Sequence, residues 1–305
     1  ARAGPRRGRR FAAEGGVGGL AGGMVTGQSE LPTWNCVPPF IDVSQAANVC
    51  QFGAKGDGEA DDTEALRTVA RLESTDFKTW TNTGMVLRSS VQEGRASQTY
   101  ALTPFRYGNV WLGYVMMYHV GRGRTVDAEL AWSPDSITWQ RVTPGQPLIP
   151  RGANGAPDSQ CIYAMSGPPI ARDGHLLIYY GGSDFPHTGW KRHCLLSLAR
   201  LPLDRWAGYE PLDKAAPAVV ETSLLRVVKP LAVSADISTC LRVTALTPDG
   251  AVLAESEPLT STGTDAPVRW RGEPDFSRPV RFRFELVAAK LFALGGVELV
   301  DAQPP

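Results

Sequence analysis

The sequence predicts an all-β chain, on three observations. A seven-residue pattern, Ser-x-Asp-x-x-x-Trp, occurs twice, as Ser74-Thr75-Asp76-Phe77-Lys78-Thr79-Trp80 and Ser133-Pro134-Asp135-Ser136-Ile137-Thr138-Trp139. Segments of alternating polarity, separated by Gly, Asn and Asp turns, run through most of the chain. The 32 Gly and 24 Pro among 305 residues fit many short strands joined by tight turns. The two copies stand 59 residues apart, close to one propeller blade of about 40–50 residues plus a loop. An Asp in such a connection accepts hydrogen bonds from the amides that follow it, and the Trp covers the sheet face. The pattern therefore marks architecture and not a catalytic carboxylate.

In chain order, residues 1–30 open with Arg6-Arg7 and Arg9-Arg10, followed by Phe11 and a small, weakly apolar stretch. They resemble a twin-arginine export signal, a disordered basic tail being the alternative. No fold is expected there, and the resemblance implies a secreted or periplasmic protein. Within 31–73, Asn48-Val49-Cys50-Gln51-Phe52-Gly53-Ala54-Lys55-Gly56-Asp57-Gly58-Glu59-Ala60-Asp61-Asp62-Thr63 resembles the opening signature of pectate-lyase-like right-handed β-helix proteins. Asp61 and Glu64 form a capping-box pattern, and Ala65, Leu66, Val69, Ala70 and Leu72 supply the apolar stripe of one short helix. The match then stops. It implies a local strand–turn–helix, and a lyase is the least favoured of three functions considered.

From Ser74 onward the blade pattern takes over. Alternation places strands at 99–106, 110–119, 126–133 and 138–142, a four-stranded meander with a turn at Gly108-Asn109. A further unit has a strand at 159–165, a hairpin whose strands 168–171 and 175–180 flank Arg172-Asp173-Gly174, and a strand at 195–201. Asp204-Arg205-Trp206 reads as a degenerate copy of the Asp-to-Trp connection. Segments 74–87, 100–150 and 158–209 resemble the later blades of five-bladed propellers of glycoside hydrolase families 32 and 43. Only about two and a half blades are legible in 74–216, fewer than the four that closure takes, so the propeller is expected to be partial, with open sheet edges.

After about Pro217 the composition shifts, and 217–305 is expected to form a β-sandwich. Strands are read at 225–234, 240–246, 252–255, 268–271, 280–286 and 297–301, with a turn at Thr247-Pro248-Asp249-Gly250. Arg281-Phe282-Arg283-Phe284-Glu285-Leu286 alternates strictly, as a half-buried strand must.

Composition excludes several functions. Lys+Arg and Asp+Glu number 31 each, so nothing marks a nucleic-acid partner. No apolar run is long enough for a membrane span. Five cysteines, at 36, 50, 161, 194 and 240, contain no Cys-x-x-Cys pair, and no histidine pair has ligand spacing, so neither a metal nor a cofactor is expected. Ser166-Gly167 lacks a nucleophile-elbow context.

The propeller resemblance implies a carbohydrate partner. Glycosidases need two carboxylates flanking the scissile bond. Asp158 matches the position where these families carry an aspartate that stabilises the charged transition state. Glu129 is the weaker second candidate, sharing a strand face with Asp127 that is expected to be solvated. Trp111, His119, Tyr163, His187 and Trp190 are the candidate sugar-binding residues, since aromatic faces and imidazoles suit sugar rings and hydroxyls. Two functions follow: a glycoside hydrolase, or a glycan-binding propeller without cleavage.

Overall fold

The computed structural model describes residues 67–90, 93, 96–164, 167–189 and 191–300. It is all-β, with no helix among the described residues. Accordingly none of these residues forms a helix that could cross a membrane. The leader 1–30, the signature at 48–63, Cys36 and Cys50 all lie outside them.

The helix expected to extend to Leu72 is corrected at its end. Val69–Glu73 is a strand, β1, paired antiparallel with β2, Thr81–Leu87. The apolar positions Val69, Ala70 and Leu72 serve a hairpin, because the partner strand lies just beyond the first Asp-to-Trp connection. The strand pattern therefore begins at least five residues before Ser74.

The meander follows as β3, Gln98–Tyr107; β4, Val110–His119; β5, Thr125–Ser133; and a short β6, Gln140–Arg141. The next unit is β7, Cys161–Ala164; β8, Ile170–Arg172; β9, His175–Ser183; and β10, Cys194–Pro202. All eight strands belong to one hydrogen-bonded sheet, joined where β5 meets β7 in parallel at Val126 and Cys161. β10 ends the sheet and has a partner on one side only among the described residues. β4 is covered on both faces. Leu112 and Tyr114 pack with Ile162, Ile178 and Tyr180 of the next unit. Val115 and Met117 pack with Leu87 of β2 and Trp139.

Both copies of the repeated connection fold alike. Asp135 Oδ1 accepts the amides of Ile137 and Thr138 at 2.8 and 2.7 Å, and Asp76 Oδ1 accepts those of Lys78 and Thr79 at 2.8 Å each. In each copy the residue after the Asp is left-handed, Phe77 at φ 58° and Ser136 at φ 65°. That conformation costs a non-glycine residue roughly 1–2 kcal/mol; the amides it turns toward the carboxylate recover part of the cost. Trp139 is buried over β4, where a Cβ on Gly113 would come within 3.0 Å of its ring.

The third connection departs from this. Asp204 caps no downstream amide; it accepts Tyr107 Oη and Ser234 Oγ, each at 2.6 Å. Arg205 donates to the Ala235 and Gly263 carbonyls and to Asp236. The segment tethers the large sheet to the C-terminal region instead of copying the repeated turn.

That region comprises β11, Ala218–Glu221; β12, Leu225–Leu246; β13, Val252–Glu255; β14, Gly263–Pro267; and β15, Arg281–Leu299. Six separate strands were expected. The first two are fused into β12 and the last two into β15, and the strand near 268–271 is replaced by β14. The long strands bend through register shifts between Val227 and Ala232 and between Ile237 and Cys240, as bulges allow. The result is one hydrogen-bonded sheet of five strands around its own core of Leu241, Val243, Phe282, Phe284 and Leu286. The alternation at 281–286 is as read: the two Phe and Leu286 are buried, while Arg283 pairs with Glu221 and Glu285 with Arg242.

Two substitutions test this architecture. Asp135→Ala is expected to lower stability by about 1 kcal/mol, the usual worth of a capping side chain, measured by urea unfolding. The amides of Thr138 and Ile137 hold the Asp135 carboxyl down at about 2. A lowered carboxylate stabilises the fold above its unfolded value of about 4 and loses that contribution as pH falls toward 2. The variant should therefore show a shallower fall in stability over that window.

Arg141 lies 4% exposed, its Nη2 2.6 Å from Glu129 and Nη1 2.6 Å from Glu93. Arg141→Met is expected to cost about 3–5 kcal/mol by stranding a buried carboxylate. The double variant Arg141→Met/Glu129→Leu should recover most of it, and a double variant as unstable as the single one would show that packing, not charge, is at stake.

Candidate functional site

The local site begins at a bulge. The register of β3 on β4 passes from Thr99 opposite Met117 to Ala101 opposite Met116, leaving Tyr100 unpaired. A bulge re-aims its side chain, and the Tyr100 ring comes to 4.8 Å from that of His187. Tyr118, near the end of β4, lies 5.0 Å from the same imidazole, and Tyr163 of β7 lies 5.9 Å from it. Three strands and one loop thus bring three phenol rings around one histidine. The loop is pinned by the His187 amide donating to the Arg124 carbonyl at 2.8 Å and by Cys161 Sγ and Ser183 Oγ donating to the Phe185 carbonyl.

Hydrogen bonds hold the imidazole in place. Arg192 Nη1 donates to Tyr163 Oη at 3.4 Å and to the His187 carbonyl at 3.1 Å. Tyr163 Oη also shares a hydrogen bond of 2.8 Å with His187 Nδ1. His187 Nε2 has no partner among the described residues and is open to hydrogen-bond an incoming hydroxyl. Burial, then the Arg192 and Arg67 cations, holds the His187 imidazole below its ordinary range, so it is neutral at pH 7. Burial raises the Tyr163 phenol, which stays protonated.

Tyr163 also borders a groove of 460 Å³ lined by Pro168, Pro169, Ile170, Tyr179 and Leu196. Tyr163 stands opposite Gly181, and Tyr179 opposite Leu198, in the antiparallel ladders. Residues at these paired and alternate positions share one face of the sheet, and that face is the groove wall. With no side chain at Gly181, the two tyrosines flank an open floor.

The other expected site residues go elsewhere. His119 is buried: Nδ1 meets Ser97 Oγ at 2.8 Å and Nε2 meets Asp127 Oδ2 at 3.0 Å. Asp127 also binds Arg151, at 2.7 Å. Trp111 is the second residue of the strand that His119 ends, a separation of roughly 27 Å at 3.4 Å per residue, and packs with Val115 and Trp139. Trp190 lies outside the described residues.

Glu129 corrects the expectation of a solvated outer position. It is 1% exposed, since β5 is covered on both faces. Its oxygens take Arg141 Nε at 2.8 Å and the Gly145 amide at 3.1 Å. Burial raises its carboxyl, with Arg141 opposing.

Asp158 accepts Tyr180 Oη at 2.8 Å and sits against β9, where a Cβ on Gly182 would come within 2.6 Å of its own. Tyr180 packs with Ala128 of β5, whereas the adjacent Glu129 points to the opposite face. The sheet thus stands between Asp158 and Glu129. Tyr163 of β7 likewise faces away from Asp158, since Ile162, not Tyr163, pairs with Gly182.

Tyr163 and His187 are therefore the two expected residues that the fold brings together. Tyr100, Tyr118, Tyr179, Arg67, Arg124 and Arg192 complete the surroundings and were missed. Alternation on β4 carries a signal for Tyr118; the bulge that turns Tyr100 has none in the sequence. Cys161, Cys194 and Cys240 are unbridged, and no group of side chains among the described residues could hold a metal ion.

No protein-family model matches the chain, and no curated protein does. Among solved structures, a glycoside hydrolase is similar at 18% identity and TM-score 0.34, over 43% of this chain and 35% of that one. An N-acetylgalactosamine deacetylase from F. plautii, in complex with blood group B trisaccharide, is similar at 16% identity and TM-score 0.35, over 46% and 42%. The Bombyx mori GH32 beta-fructofuranosidase BmSUC1 is similar at 11% identity and TM-score 0.28, over 74% and 59%. The chain spans less than two thirds of the length of each of these three proteins, and the likeness is one of partial fold.

Proposed function

We propose that the chain is a carbohydrate-active protein that holds a poly- or oligosaccharide at the Tyr163–His187 site and its groove without cleaving it through Asp158 and Glu129. The observation that carries this is the placement of those two carboxyls on opposite faces of the β4–β5 sheet, with Glu129 already bound to Arg141 and Gly145. A glycosidase needs its pair on either side of one bond. The groove and the adjoining histidine supply what binding needs: the tyrosines Tyr163 and Tyr179, and the unpartnered Nε2 of His187 beside Tyr163. The propeller-type repeat supports the carbohydrate class, and a secreted or periplasmic protein would meet such ligands.

The test is calorimetric titration with a panel of plant and microbial oligosaccharides, with reducing-sugar release followed in parallel. At least one glycan is expected to bind with no release. Tyr163→Phe removes the bond that orients His187, and His187→Ala removes the imidazole; each is expected to weaken binding roughly three- to tenfold, the worth of one hydrogen bond. Release that disappears in Asp158→Asn would reverse the reading in favour of hydrolysis.

A further inference from the structure

Resting on the glycan-binding reading, we infer that the site selects acidic sugars, a carboxylate-bearing residue of the glycan being held by Arg67, Arg124 and Arg192 around His187. The Arg67 guanidinium lies over the Tyr118 and Tyr100 rings at 5.1 and 5.7 Å, the rings that pack on the imidazole. Arg192 reaches Tyr163 Oη and the His187 carbonyl through a single nitrogen, Nη1, and its remaining N–H groups have no acceptor among the described residues. Arg124, whose carbonyl pins His187, places Nη1 3.3 Å from Thr188 Oγ1 in the same loop.

These three gather around one histidine without an anion beside them, unlike the arginines that the fold pairs elsewhere. Arg141 has Glu93 and Glu129, Arg151 has Asp127, Arg205 has Asp236 and Arg283 has Glu221. Among the described residues, no carboxylate lies within ion-pair distance of Arg67, Arg124 or Arg192, and the acidic side chains bordering the region are engaged. Asp127 takes Arg151 and His119, and Asp184 takes His193.

The uncompensated charge is felt locally. After burial, Arg192 and Arg67 are what depress His187. Burial raises the Cys161 thiol, and Arg192 and Arg151 oppose it. A guanidinium fork matches a planar carboxylate with two parallel hydrogen bonds. The groove tyrosines, Tyr163 and Tyr179, would carry the neighbouring ring of the chain.

The experiment titrates the full chain with matched pairs that differ only in the acid: oligoglucuronate against cello-oligosaccharide, and oligomannuronate against manno-oligosaccharide. The acidic member of a pair is expected to bind roughly tenfold tighter, as a charge-assisted hydrogen bond provides, and the preference should shrink as salt rises from about 50 to about 500 mM. Arg124→Gln, at an exposed position whose side chain touches neither Tyr163 nor His187, should remove severalfold of the acid preference while leaving neutral affinity unchanged. Equal affinity for acidic and neutral members would overturn this inference and leave glycan binding standing. No binding of any sugar by a protein that still unfolds cooperatively would overturn both. Polyglutamate competing as well as oligoglucuronate would overturn the sugar class, showing a general polyanion surface.

Discussion

A strand that is apolar on both faces must be covered twice, and β4 is that strand. Tyr114 and Leu112 face one way, Val115 and Met117 the other, all buried. The β7–β10 unit has to lie on one side of it, and the β1–β2 hairpin with Trp139 on the other. The flanking elements have no other way to bury their own apolar faces. Everything else follows from this stacking: the parallel junction of β5 with β7, the seclusion of Glu129, and the meeting of Tyr118 with the His187 loop.

Charge is handled in two ways within the same sheet. Where β5 is covered by β2 and Trp139, Asp127 and Glu129 are neutralised by Arg151, His119 and Arg141, because an unpaired buried carboxylate would cost several kcal/mol. At the end where β4 meets the β9–β10 loop the arginines have phenol rings and carbonyls for neighbours instead. Such contacts partly satisfy a guanidinium and leave its charge standing. The first arrangement is a structural solution; the second leaves a surface that favours an anion.

The repeated connection shows how a local rule is reused. In both copies the Asp gathers two amides and the next residue adopts a left-handed turn, although one copy holds Phe77 there and the other Ser136. Asp204 also has a positive φ but binds Tyr107 and Ser234. A similar sequence in a place where the C-terminal sheet approaches serves as a tether, because the partners differ while the backbone propensity is the same.

Strand alternation and turn residues by themselves determined the all-β class, β3 to β5 nearly to the residue, the Thr247–Gly250 turn, and the buried Phe282-x-Phe284-x-Leu286 face. These depend on periodicity and on side chains acting within a few residues of themselves. The tertiary structure alone decided the strand at Val69–Glu73, whose partner supplies the hydrogen bonds a helix would otherwise have made internally, and the fusion of four of the six expected C-terminal strands into two long ones through bulges. It also decided the site. Tyr163 and His187 were legible as aromatic and loop residues, but Tyr100 reaches them through a bulge, and Asp158 and Glu129 are parted by a sheet. Which groups face one another across a stacked sheet depends on register and packing between distant segments, and no short-range pattern encodes that.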